Sequence, residues 1–392
     1  MTAALDHWLA EHGNDLVALR RHLHAHPELS YAEHATTDLL AERLTLAGLA
    51  PQRVSSGTGL VVDIDPPGGV SGLRFGLRAD IDALGMQDEK DVPYRSQVPG
   101  VSHACGHDVH TTVMLGVATY WARHRDLLPG PVRVIFQPAE EVVPSGAQIV
   151  VGDGHADGIG AMVGFHCDPH RDVGTVGLRV GPLTSACDTF SLRLTGPGGH
   201  TARPGNTVDL VQVAARVVTE LPERVAGLVG EDAVRLVFGA VHAGSAANVI
   251  PAECTLRGTV RTPDAEAWER LPQVVAAQLD DLLAGTGAGH ELAYTQGVPP
   301  VVNDAGMIDL VRRVAGETLG EGAVGEAEHS WGGDDFAWYG RRVPIAYVRL
   351  GVRTPGAPGP ELDLHAGHFD ADEDAIGVGI RVAVGAAHRF FG

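Results

Sequence analysis

The run His103-Ala-Cys105-Gly-His107-Asp108-Val-His110 brings a thiol, imidazoles and a carboxylate into one short stretch. Thiolate and imidazole together suit a borderline-soft divalent metal, and Gly106 lets the backbone turn so that the flanking side chains converge. A polar loop in a chain with 20 histidines is the plain alternative. Phe136-Gln-Pro-Ala-Glu140-Glu141 closes a strongly apolar run. Adjacent carboxylates at a strand end point in different directions, so one can hold a metal while the other moves protons. Read alone, the pair is equally the acidic first turn of a helix. Gly164-Phe-His166-Cys-Asp-Pro169 and Leu362-Asp-Leu-His365-Ala-Gly-His368-Phe369 each end an apolar run on a histidine. Singly, each is an ordinary loop histidine; five donors after successive strands of one sheet point to a shared site.

The elements that must position these residues follow from periodicity. Ala4 to Leu49 reads as helix, a break at His26-Pro27 and a second helix, with Leu16, Leu19 and Leu23 and then Leu39, Leu40 and Leu44 at helical spacing. Short β-branched or aromatic runs follow: 59–65, 73–78, 132–136 and 161–165, with a helical stretch at Thr111–Arg123. Strands alternating with helices indicate an α/β sheet covered on both faces, whose chemistry gathers beyond the strand ends. From about Cys187 the order becomes βαββα: strand 190–194, helix 208–221, strands 234–241 and 254–260, helix 265–283. That suits a small α+β sandwich. Strand 345–350 and a final helix near 375–391 return to the first pattern. The expected architecture is a catalytic α/β domain in two parts, 1–184 and 298–392, interrupted by a smaller α+β domain at 185–297.

Composition narrows the function. The chain has 392 residues, too many for one ordinary core, and a formal net charge of -20. Such a surface repels phosphate backbones and anionic lipid, which argues against nucleic-acid and membrane partners. Lys90 is the only lysine. No run of 18 apolar residues occurs, and Asp6, His7, Glu11, His12 and Asp15 interrupt any signal-peptide core. Four scattered cysteines form no disulfide framework, so a reducing cytoplasm is the expected location.

Several ordered blocks resemble the M20 metallopeptidase clan. They are Arg21-His22-Leu-His24-Ala-His26-Pro-Glu28, Arg78-Ala-Asp80-Ile-Asp82-Ala-Leu84, Cys105-Gly-His107-Asp108-Val-His110 and Gln137-Pro-Ala-Glu140-Glu141. Gly198-Gly199-His200-Thr-Ala-Arg-Pro204, Asn248-Val-Ile-Pro251, Gly258-Thr-Val-Arg261 and Asp334-Asp335-Phe336-Ala337 continue the match. Within the clan the similarity is to the amidohydrolase branch of hippurate hydrolases, N-acyl-amino-acid amidohydrolases and plant auxin-conjugate hydrolases.

That resemblance implies a dinuclear centre held by Cys105, His107, Glu141, His166 and His365. It implies Glu140 as the general base acting on a metal-bridged water, and Asp82 as the carboxylate that orients a ligand. The inserted domain is then a lid and dimerisation domain, with His200 and Asn248 reaching the substrate and His200 stabilising the oxyanion. The expected reaction is cleavage of N-acyl amino acids or similar small amide conjugates by a homodimer with two divalent ions, zinc or manganese, or cobalt or nickel. A dipeptidase or carboxypeptidase of the same clan is the nearest alternative, and a non-catalytic binding protein on the same scaffold is one of a different class. Gly85, the Val142-Val-Pro-Ser-Gly146 run, Cys167-Asp168 and Asp334 depart from the usual pattern. They bear on substrate preference, since every implied ligand and the base are present.

Overall fold

The computed structural model describes residues 2–69, 72–356 and 363–392. Leu362, the first residue of the run that carries His365, lies outside them. The chain divides into two compact units. One comprises Met1–Gly181, Val302–Glu328 and Asp335–Gly392, the other Pro182–Val301 and His329–Asp334.

The first unit is built on an eight-stranded mixed sheet. At its centre four strands run parallel in the order Val132–Gln137, Arg74–Asp80, Ile159–Asp172 and Ile345–Arg353. Leu60–Ile64 pairs antiparallel on one side, and Val176–Leu178 on the other. The central strands are largely buried on both faces, as parallel strands are when both faces are covered. Phe75, Leu77, Val134, Phe165 and Val348 face the long helices. On the opposite face Phe336 stacks on Tyr347 with ring centroids 4.7 Å apart.

Helices His107–Arg123 and Asp374–Phe391 pack closely because each offers a glycine at the crossing. A Cβ on Gly116 would stand 2.5 Å from Ile380 Cδ1, and one on Gly379 would stand 2.8 Å from Val113 Cγ2. The first of these helices begins at His107 rather than Thr111, so His107 projects from its opening turn. Strand Ile159–Asp172 runs well past the stretch that periodicity marks, which places His166 inside a strand rather than at its end. His365 sits in the turns after Ile345–Arg353, further from its strand than the sequence suggests.

The second unit is a four-stranded antiparallel sheet in the order Arg235–Ala243, Glu253–Arg261, Cys187–Thr195, Gly289–Val298, with helices Leu210–Val229 and Ala265–Leu283. Two features differ from the βαββα reading. The first helix runs through Pro222, because Val225 continues the buried stripe of Ala214, Val217 and Leu221. That burial outweighs the hydrogen bond that proline cannot donate. Gly289–Val298 adds a fourth strand beside Cys187–Thr195, and its mostly exposed first eight residues gave no apolar alternation to read.

Asp188 ties this unit together. Its fully buried carboxylate accepts from Trp268 Nε1 at 2.9 Å, Tyr294 Oη at 2.7 Å and Gly297 N at 2.9 Å, joining two strands and a helix. Burial pushes the carboxyl above its ordinary range, and the three donors pull it back part of the way. Asp188→Ala leaves those donors unsatisfied and is expected to cost about 3 kcal/mol. Asp188→Asn keeps one acceptor oxygen and should cost less. Denaturant unfolding of both variants checks this: equal stability of wild type and Asp188→Ala would refute the role.

Candidate metal centre

The carboxylate loop is built before it is functional. Strand Val132–Gln137 ends in Pro138-Ala139-Glu140-Glu141, and Ala139 is held at φ 51, a left-handed conformation rare outside glycine. Two contacts hold it there. Ala139 N donates to Glu33 Oε1 at 2.7 Å, and Gly146 N donates to Ala139 O at 2.9 Å. Gly146 itself has no alternative, since a Cβ there would lie 1.7 Å from Pro138 O. Glu33 is buried, and desolvation raises its carboxyl above the ordinary range. The strained turn presents Glu140 and Glu141, both half-buried.

His107 stands opposite. Its Nδ1 donates to Asp82, at 2.9 Å from the backbone oxygen and 3.3 Å from Oδ1. The other carboxylate oxygen of Asp82 accepts from Ser30 Oγ at 2.7 Å and from Glu141 N at 3.1 Å. With Nδ1 committed, Nε2 carries the lone pair, and it is buried without a hydrogen-bond partner. Glu141 Oε1 is in the same condition, 3.8 Å from His107 Nε2 and 3.4 Å from His365 Nε2. His365 is fixed by its backbone N–H on Ala104 O at 2.8 Å and holds φ 55.

Cys105 Sγ and His166 Nε2 approach to 3.5 Å on the other side. His166 Nδ1 donates to Cys167 O at 2.7 Å, so its Nε2 is again the free donor atom. Burial first, then Arg349 and His110, keep His166 well below the ordinary imidazole range and therefore neutral. The structure thus brings Cys105, His107, Glu141, His166 and His365 together, with Cys105, His107 and Glu141 offering donor atoms all within 4.8 Å of one another.

These residues fit a divalent metal pair. His107 Nε2 is buried with no hydrogen-bond partner, and Glu141 Oε1 facing it has only the long 3.4 Å approach of His365 Nε2, an arrangement that costs free energy unless a cation completes it. The electrostatics agree. Burial lowers the His107 pKa, yet Asp80, Asp82 and Glu141 outweigh it and carry it up to about 10. A field that favours a proton this strongly favours a metal cation at the same point.

His110 forms a second cluster with Asp80 and His107, but it is already fully engaged. Its Nε2 accepts from Cys167 N at 2.9 Å, so Nδ1 is protonated and donates to Asp80 Oδ1 at 2.6 Å. Asp80 is in turn paired with Arg78, whose other nitrogen reaches Asp335 Oδ1 at 2.6 Å. Gln137 Nε2 and Ala147 N also donate to Asp335, at 2.7 and 3.0 Å. His110 holds the backbone beside His166. Sequence reasoning missed Glu33 and Ser30, and no local pattern marks either. In the second unit, His200 and Asn248 meet on a two-stranded ribbon where Val249 pairs with His200 and Thr201 N donates to Asn248 O at 3.3 Å. Both are exposed.

His110→Phe keeps a flat ring but removes the donor to Asp80 and the acceptor for Cys167 N–H. Loss of such supporting contacts typically weakens a metal site about 10–100-fold. Chelator competition on the folded variant should show that weakening, and unchanged affinity would overturn the assignment.

Residues 76–389 match peptidase family M20/M25/M40. A protein of Rhodococcus jostii that carries the name of a glutamate–cysteine ligase is 42% identical over 94% of this chain, which spans only 46% of that protein's length. The N-acetyl-L-cysteine deacetylase of Bacillus subtilis is 37% identical over 92% of this chain and 84% of its own. A dinuclear metal-binding peptidase of the M20 family, also from B. subtilis, has a TM-score of 0.83 at 32% identity, covering 96% of this chain and 98% of its own. Similar in sequence and in fold over most of its length, the chain belongs to peptidase family M20/M25/M40.

Proposed function

We propose that this chain removes the acyl group from N-acyl amino acids or similar small amide conjugates. Metal-dependent hydrolysis of an amide bond is the chemistry its family membership brings. The observation that carries the reading is the pair of buried, unsatisfied lone pairs on His107 and Glu141, with Cys105, His166 and His365 around them and Glu140 next in sequence. Such a mixed shell suits zinc or manganese, and also accepts cobalt or nickel.

Two divalent ions held by Cys105, His107, Glu141, His166 and His365 would lower the pKa of a water and polarise the amide carbonyl. The chain's own residues do the rest. Glu140 takes one proton from the attacking water and returns it to the amide nitrogen as the C–N bond breaks, which yields carboxylic acid and amine with atoms in balance. Asp82 keeps His107 in the tautomer that leaves Nε2 available. His200 and Asn248 are the donors the family resemblance assigns to the substrate, with His200 stabilising the charge that builds on the carbonyl oxygen.

The second unit is proposed as the lid and dimerisation domain, acting in a homodimer. Its outer strand Arg235–Ala243 has an unpaired edge and exposes Val237 and Val241, an arrangement a second copy can cover. No helix among the described residues is long and apolar enough to cross a membrane. The cytoplasm remains the proposed location.

Glu140→Gln is expected to hold metal normally while kcat falls by about 100- to 10,000-fold on an N-acyl-amino-acid panel. Metal analysis and kinetics on one sample test this, and near-normal kcat would remove Glu140 as the base. Chelator should abolish turnover and a divalent metal restore it. Loss of the oxyanion donor in His200→Ala should cost about 100- to 1,000-fold in kcat. If it raises KM alone, His200 binds substrate rather than stabilising the oxyanion.

A further inference from the structure

The buried guanidinium groups of the first unit are matched by carboxylates: Arg20 lies on Asp108 and Asp370, and Arg78 on Asp80 and Asp335. Half-buried Arg133 likewise pairs with Asp63. Arg349 departs from that rule at the edge of the metal centre. It stands on strand Ile345–Arg353 directly opposite His166 of the parallel strand Ile159–Asp172. Partners in such a pair project from the same face, and neighbouring strands are only about 4.8 Å apart, well within the reach of an arginine side chain. On its other side Arg349 pairs with Gly177, which brings no side chain of its own.

The local carboxylate is already taken. Asp168, one side-chain step along from His166, has Oδ2 3.6 Å from Arg171 Nε. The Arg171 guanidinium fills the space over Gly177, where a Cβ would meet it at 2.7 Å, and its Nη2 donates to Glu326 O at 2.6 Å. The Arg349 side chain makes no hydrogen bond or ion pair among the described residues, and its guanidinium lies 6.0 Å from the centroid of the Tyr347 ring. It is half-buried. In a chain with 49 acidic and 29 basic residues, a half-buried cation with no carboxylate partner among the described residues is placed for an anion from outside.

We propose that Arg349 recognises the carboxylate of the amino-acid half of the substrate while the scissile amide lies over the donors of Cys105, His107, Glu141, His166 and His365. This rests on the amidohydrolase reading and adds a specificity determinant to it. The carboxylate of an N-acyl amino acid is separated from the amide nitrogen by a single carbon. A guanidinium beside one ligand can therefore bind it bidentately with the amide still at the metals. Arg349 selects acids over neutral amides of the same shape.

The test compares wild type, Arg349→Met and Arg349→Lys, all loaded with metal, on an N-acyl-L-amino acid and on the matching N-acyl amino alcohol. The readout is the ratio of kcat/KM for acid over alcohol, together with calorimetric binding of the N-acyl amino acid. In Arg349→Met the ratio is expected to fall about 10–100-fold, with a matching loss of binding, and Arg349→Lys should recover part of it. A ratio that stays at the wild-type value overturns the proposal. So does an equal loss on both substrates, which is what a merely structural role predicts. Wild-type protein that binds the acid through Arg349 without cleaving it would overturn the amidohydrolase reading and leave Arg349 as an anion site. Wild-type protein that neither binds nor cleaves it overturns both.

Discussion

Asp82 has no access to water, so its charge must be satisfied entirely by protein. The chain meets that demand from three directions: Ser30 after the first helix, the Glu141 backbone, and the His107 ring. His107 and the loop that carries Glu141, two of the candidate donors, are thereby locked to one point. Asp80 imposes the same condition one strand position earlier, drawing in Arg78 and His110 and through His110 the backbone next to His166. Low dielectric strengthens each of these bonds and penalises any that is missing. The two carboxylates set the geometry of the centre although neither is placed among its ligands.

The donors that meet at the candidate centre stood out in sequence as cysteine, histidine and glutamate close to apolar runs, and only the family resemblance grouped them into one set. The α/β order was legible from periodicity, and helix Ala265–Leu283 to the residue. What stayed hidden depends on contacts distant in sequence. Glu33 acts on Ala139 from 106 positions away, and Arg78 on Asp335 from 257. Nothing near Glu33 distinguishes it from a solvated acid at a helix start. His365 was legible as a residue type but not as a strained one, since its positive φ exists only because the fold fixes its neighbours. The strand Gly289–Val298 was missed because its exposed positions carry polar and apolar residues alike.

The tight ionic cluster behind the metal helix is poorly explained as a source of stability. Arg20 reaches Asp108 at 2.8 Å, and His24 donates to Asp108 at 2.7 Å and to Asp88 at 3.2 Å. Burial lowers the His24 pKa, but Asp108 and Asp88 outweigh it and raise it above the ordinary imidazole range, which favours the charged ring between two carboxylates. Lys90, the only lysine, joins through Asp88 at 3.2 Å and Phe369 O at 2.8 Å. Desolvating so many charges costs about as much as their attraction returns, and well-packed apolar side chains often serve stability equally well. Apolar side chains are interchangeable in direction, however, whereas a bidentate or ring hydrogen bond is not. Asp108 follows His107 directly, on a helix whose N-cap is Gly106 in a left-handed conformation with no side-chain cap. Without Asp108 anchored on Arg20 and His24, the opening turn would be free to fray, and the ligand on it would move by more than a metal site tolerates. The cluster is best understood as the device that replaces a cap, fixing the direction of one imidazole at the expense of burying charge.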